Sequence, residues 1–179
     1  MELFEYKKID KNDFSLSKPY PNIELNNFWN NELLEKCFSE IKDYKHWDGE
    51  KNFFAAKKRL YSSNRKLFPE NVKKVFNVLC SIKFINWLES FTNEKELVAD
   101  NNLTASGISS VGRGGFLKIH CDPNWNPKMK LYLRIIIIVY LINPFHNYNH
   151  IANRDNGAYL LLEFLIETTD KLTIYVDNH

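Results

Sequence analysis

No run of apolar residues in this chain approaches the ~20 that a membrane-spanning helix needs; the longest extends from Ile135 to Ile142. A secretory leader is not expected either, because Met1 to Lys8 already carries Glu2, Glu5, Lys7 and Lys8. Glycine and proline are scarce, at 6 each in 179 residues, which argues against collagen-like and low-complexity chains. An excess of one charge sign is missing too. The 24 basic and 22 acidic residues leave a net charge of +2, with no electrostatic footprint for nucleic acid or an anionic membrane. The three cysteines, Cys37, Cys80 and Cys121, have neither metal-ligand nor redox spacing. Their odd number in a chain without a leader suggests a reducing compartment, so the expected location is the cytoplasm.

What is present is a globular composition, 44% hydrophobic and 15% aromatic. The length suits one domain with a sizeable core, spanning residues 1–179. Residues 1–104 read as helix-rich. Leu33, Leu34, Cys37, Phe38 and Ile41 fall at helical spacing behind an asparagine cap, predicting a helix near 31–44. Val72, Val75, Phe76, Leu79 and Cys80 make a second stripe, with Pro69 placed as a first helical residue. Phe84, Ile85, Trp87, Leu88 and Phe91 make a third, after Ser81. Residues 20–28 alternate like a short strand, 48–52 read as a polar turn, and 53–63 are ambiguous.

After about residue 104 the pattern changes. Gly107, Gly112, Gly114 and Gly115 punctuate strand-like segments. Leu131 to Leu141 is apolar almost throughout, as in a strand buried on both faces. A polar loop, Asn143 to Asn156, precedes strands expected at Tyr159 to Ile166 and Leu172 to Val176. Helices first and strands later indicate an α+β fold.

The chemistry is concentrated at His120 and Asp122. On a strand, residues two apart share a face, so an imidazole and a carboxylate can meet at one point. These are two thirds of the 2-His-1-carboxylate set that holds non-haem Fe(II) with open coordination positions. A His-x-Asp triplet alone is weak, and its glycine-rich lead-in is what gives it context.

The run Gly112-Arg113-Gly114-Gly115-Phe116-Leu117-Lys118-Ile119-His120-Cys121-Asp122 is followed by Asn124-Trp125-Asn126-Pro127-Lys128, then Arg134, then Tyr140-Leu141. This resembles the prolyl 4-hydroxylase-like branch of the Fe(II)/2-oxoglutarate dioxygenases. That branch commonly reads Gly-Arg-Gly-Gly-Phe-Leu-x-x-His-x-Asp, Asn-x-His-Pro-Lys, then arginine and a hydrophobic strand ending Tyr-Leu-Asn. The likeness is dense over 107–141, looser over 20–106, and decays after 142. It implies a double-stranded β-helix (jelly-roll, cupin-like) core over 105–179, supported by the N-terminal helices. It implies Fe(II) and 2-oxoglutarate as cofactors, with ascorbate as an accessory reductant, and His120 and Asp122 as iron ligands. Tyr140 takes the position of a hydroxyl donor to the far carboxylate of 2-oxoglutarate, or of a core tyrosine. Arg134 takes that of a substrate contact, or of a structural ion pair. The implied reaction hydroxylates a prolyl or related aliphatic C–H bond and converts 2-oxoglutarate to succinate. The substrate would be a protein or a small molecule.

The likeness breaks toward the end. The family's third ligand is a later histidine, followed by a basic residue that anchors 2-oxoglutarate. Here His146 and His150 lie in the polar loop, and His179 follows a strand-like segment with no basic residue after it. Either the C-terminal strands and the iron site are incomplete, or His179 or a loop histidine completes the site with Lys171 as anchor. Three functions follow: a dioxygenase with His120, Asp122 and His179 on iron, a catalytically inactive jelly-roll protein with a binding or structural role, or another metal enzyme on a cupin-like barrel. Nothing in the sequence bears on oligomeric state.

Overall fold

A computed structural model describes residues 3–18, 20–104, 106–118, 124–141 and 157–166. Four α-helices and seven strands are formed there, in the order α1 (Lys11–Ser15), α2 (Asn31–Lys42), β1 (Gly49–Phe53), β2 (Ala56–Ser62), α3 (Glu70–Leu79), α4 (Ile82–Thr92), β3 (Val98–Ala99), β4 (Gly107–Leu117), β5 (Trp125–Asn126), β6 (Leu131–Tyr140) and β7 (Gly157–Ile166). The fold is α+β, as expected, with the antiparallel sheet curled into a half-barrel. Its strand order is β1-β2-β4-β7-β6-β5, and β3 also pairs with β7.

Each long helix forms where its apolar stripe and its cap coincide. Asn30 caps α2 by accepting from the Leu33 amide at 3.1 Å, and Leu33, Cys37 and Ile41 are buried below it. Ser81 caps α4 by accepting from the Phe84 amide. Pro69 is the N-cap of α3, so the helix starts one residue later than the sequence suggests, and Pro69 cannot cap through its side chain. The Glu40 carboxylate, projecting from α2, takes that task. It accepts from the backbone amides of Asn71 and Val72 and from the Asn71 side chain at 2.6 Å. A carboxylate on free amides at a helix start is favoured by charge as well as by hydrogen bonding. Glu40→Ala should therefore cost about 1–2 kcal/mol of unfolding free energy, and Glu40→Gln less; equilibrium urea unfolding of the three proteins checks this.

The sheet packs one face on the helices. Ile108 from β4, Ile135 and Val139 from β6, and Leu160, Leu162 and Phe164 from β7 join the helical residues in one core. Phe84 of α4 lies over Phe164 at 6.1 Å between ring centroids. The abundance of aromatics is spent around α4, where Trp87 contacts Tyr6, Phe28 and Phe91 and donates from its indole N–H to the Lys7 carbonyl.

β6 is apolar on both faces for a visible reason. Leu133 pairs with Leu165 and Ile135 with Phe164, so Arg134 is the extra residue of a β-bulge. The bulge reverses the alternation. Ile135 and Val139 point into the main core, while Leu133 and Ile136 build a second, smaller cluster with Leu165. Among the described residues, no helix residue belongs to that cluster.

Three expectations change. Residues 49–53 form strand β1 and not a turn, and the ambiguous 53–63 contains β2. β1 is an exposed edge strand, so it shows no hydrophobic alternation by which a sequence could reveal it. Residues 20–28 form no strand. Ile23 and Leu25 pack against the core as half-buried residues, and the only pairing nearby among the described residues is a single bridge between Phe4 and Trp29. The loop 143–156 and the strand 172–176 lie outside the described residues.

Candidate functional site

The strand leading to the His-x-Asp pair is bent by design. β4 pairs with β2 in two stretches: Ala56 and Lys57 face Leu117 and Phe116, and Arg59 to Ser62 face Val111 to Ile108. The residues between, Gly112 to Gly115, bulge out of the ladder. Two of the glycines have a reason in the backbone. A Cβ on Gly115 would stand 2.6 Å from the Lys57 carbonyl oxygen and 2.8 Å from that of Gly112. Gly114 has φ +73°, a conformation other residues rarely adopt. Past the bulge, β4 rejoins the hairpin, and the Lys118 amide donates to the Ala55 carbonyl at 2.8 Å. His120 and Asp122, two residues and four residues further on, lie outside the described residues, as do His146, His150, Lys171 and His179.

Two other candidates have a place in the backbone. Arg134 is the bulge residue of β6, and Tyr140 ends that strand, paired with Tyr159 at the start of β7. Tyr140 follows Ile138 by two residues, and Ile138 packs on the smaller cluster. Both residues thus sit on the strand that separates the two apolar clusters.

The segment after the pair is a tight hairpin. Asn126 is buried, and its side-chain oxygen accepts from the Lys128 and Met129 amides, each at 3.1 Å. Trp125 pairs with Tyr132 across β5 and β6, with ring centroids 4.9 Å apart. These residues resemble the family's Asn-x-His-Pro-Lys run, and here they shape the turn into β6.

Other reactive groups are occupied structurally. Burial pushes the Cys37 thiol up to about 12, and burial also raises Cys80 against the lowering influence of the Arg65 guanidinium. Neither is an available thiolate nucleophile near neutral pH. Asp100 is fully buried, but its carboxylate accepts from the Asn102 and Thr104 amides and so closes a turn. Among the described residues, no three His, Cys, Asp or Glu side chains gather in a way that could hold a metal. Of the 5 histidines only His46 is described, and it is exposed. Iron therefore has to be judged on donor chemistry: a neutral imidazole and a carboxylate in one short motif suit Fe(II). No helix among the described residues is long and apolar enough to cross a membrane. No family model matches this chain, and neither does any curated protein.

Proposed function

We propose that this protein is a non-haem Fe(II) dioxygenase acting on a prolyl or related aliphatic C–H bond, on a double-stranded β-helix of which the described sheet is one part. The reaction inserts one atom of O2 into the C–H bond as a hydroxyl. The other enters 2-oxoglutarate, which leaves as succinate and carbon dioxide. The observation that carries the reading is the eleven-residue run from Gly112 to Asp122. Gly114 and Gly115 of that run have a backbone task in the β4 bulge, and its imidazole and carboxylate are the residue types that suit Fe(II).

In this reading His120, Asp122 and His179 hold the ferrous ion. Bound iron supplies a centre where O2 is reduced with electrons from 2-oxoglutarate. The chain does the rest. The Tyr140 hydroxyl donates a hydrogen bond to the far carboxylate of 2-oxoglutarate, and Arg134 meets an acidic or carbonyl group of the substrate.

The test is anaerobic titration of the full chain with Fe(II), with and without 2-oxoglutarate, followed by the charge-transfer absorption of the chelate. One iron per chain, bound more tightly with 2-oxoglutarate, is expected. Iron binding indifferent to 2-oxoglutarate would favour a cupin-like metal enzyme of another class. A second reading, a catalytically inactive binding protein on the same scaffold, is favoured by one observation. All described strands join one sheet, whereas a jelly roll sets two sheets face to face. Absence of stoichiometric iron binding would select it.

A further inference from the structure

We infer that the tip of the β1–β2 hairpin and the adjoining end of β4 form a docking surface for an extended acidic polypeptide. This deepens the proposed function by naming its substrate class, and it rests on that reading for its catalytic meaning. The centre of the surface is apolar. Phe54 at the hairpin turn is 82% exposed and Phe53 52%. Phe116 and Leu117 come alongside them because Lys57 pairs with Phe116 and Ala56 with Leu117; both are exposed as well. A cluster of exposed apolar side chains at one end of a sheet marks a contact surface.

The rim is basic. Lys57, Lys58 and Arg113 are exposed around the aromatic tip, and the Lys58 ammonium donates to the Arg113 carbonyl at 2.9 Å, tying the hairpin to the β4 bulge. Across residues 49–58 and 113–118 there are five lysines and arginines and a single acid, Glu50. That local excess of four positive charges exceeds the +2 of the whole chain. The near-neutral total conceals it, because the fold gathers these residues from two distant segments.

The occupant follows from the edge. β1 ends the sheet and pairs only with β2 among the described residues, so its outer N–H and C=O groups face outward. An extended peptide can satisfy such an edge by adding a strand. A bilayer interior cannot satisfy it. The Phe53 and Phe54 rings meet edge to face at 74°, which is not a flat platform for stacked bases. Position agrees with charge. Leu117 is three residues before His120, at most ~10 Å along an extended chain.

The experiment needs neither iron nor 2-oxoglutarate, so its failure is separate from failure of the dioxygenase reading. The full chain is titrated against a fluorescein-labelled copolymer of glutamate and tyrosine, read by fluorescence anisotropy. Parallel arms use a lysine–tyrosine copolymer, labelled oligothymidylate, and vesicles of phosphatidylserine with phosphatidylcholine. Saturable binding of the acidic copolymer, weakened by salt and preferred over all three other probes, is expected. The pair Lys57→Glu and Arg113→Glu should weaken it at least about tenfold. Phe54→Ser alone should weaken it severalfold. Near-UV circular dichroism verifies that both variants fold. No binding of the acidic copolymer, binding indifferent to both variants, or equal or stronger binding of oligothymidylate or vesicles overturns the inference.

Discussion

Asp122→Ala should abolish 2-oxoglutarate-dependent succinate formation, and His120→Ala should do the same. The argument is one of donor count. A facial set of three ligands leaves open positions only because each ligand is anchored, and losing one releases the metal or fills its place with water. Losing a mere outer-shell partner costs up to about 100-fold in metal affinity or activity. The loss for a direct ligand should exceed that. The two substitutions should also be non-additive, because either alone removes the site on which the other acts. The measurement is succinate released per chain with saturating Fe(II) and 2-oxoglutarate. Equal turnover by wild-type and Asp122→Ala protein would end the assignment.

The second large effect is on stability. Gly107→Ala should cost about 3 kcal/mol or more. Gly107 opens β4 with φ +137°, a backbone region nearly closed to other residues, and its missing Cβ would lie 2.2 Å from the Ser62 carbonyl oxygen. Neither obstacle can be relieved by a rotamer, since both belong to backbone that β2 and β4 share. Gly112 supplies the control on the same strand. A Cβ there meets nothing closer than 3.7 Å, so Gly112→Ala should change stability by no more than about 0.5 kcal/mol. Urea midpoints decide the matter: coincident midpoints for the two variants would show that the close approach of β4 to β2 is not what the glycine serves.

Much of the architecture is written in the sequence, for reasons that particular residues make clear. Val72, Val75, Phe76 and Leu79 announce α3 because a helix half sunk in a core has to repeat its apolar residues near every third or fourth position. Ile135 to Val139 announces a doubly buried strand because β6 feeds two clusters. The Arg134 bulge that makes this possible has no signature of its own, since one inserted residue leaves an unbroken apolar run looking the same. β1 is silent for the opposite reason: Gly49 to Phe53 is an edge with no buried face to encode. The Glu40 cap on α3 is equally hidden, because its partners are 31 and 32 residues away. For the candidate site, the sequence supplies the residue types, and the structure adds the bulge that leads toward them and the strand carrying Arg134 and Tyr140. The cationic, aromatic hairpin tip escapes a linear reading because Lys57 and Phe116 become neighbours only across a ladder.

The place of β7 in the sheet has a consequence for the order of assembly. It is the last described strand to be synthesised, yet it is bonded to β3, β4 and β6 together. Until it arrives, the β1-β2-β4 ladder, the β5-β6 ladder and β3 have no strand to join them, and Phe84 lacks the ring it will rest on. Completion of the sheet has to wait for residues 157–166, so closure is a late event that depends on contacts between remote parts of the chain.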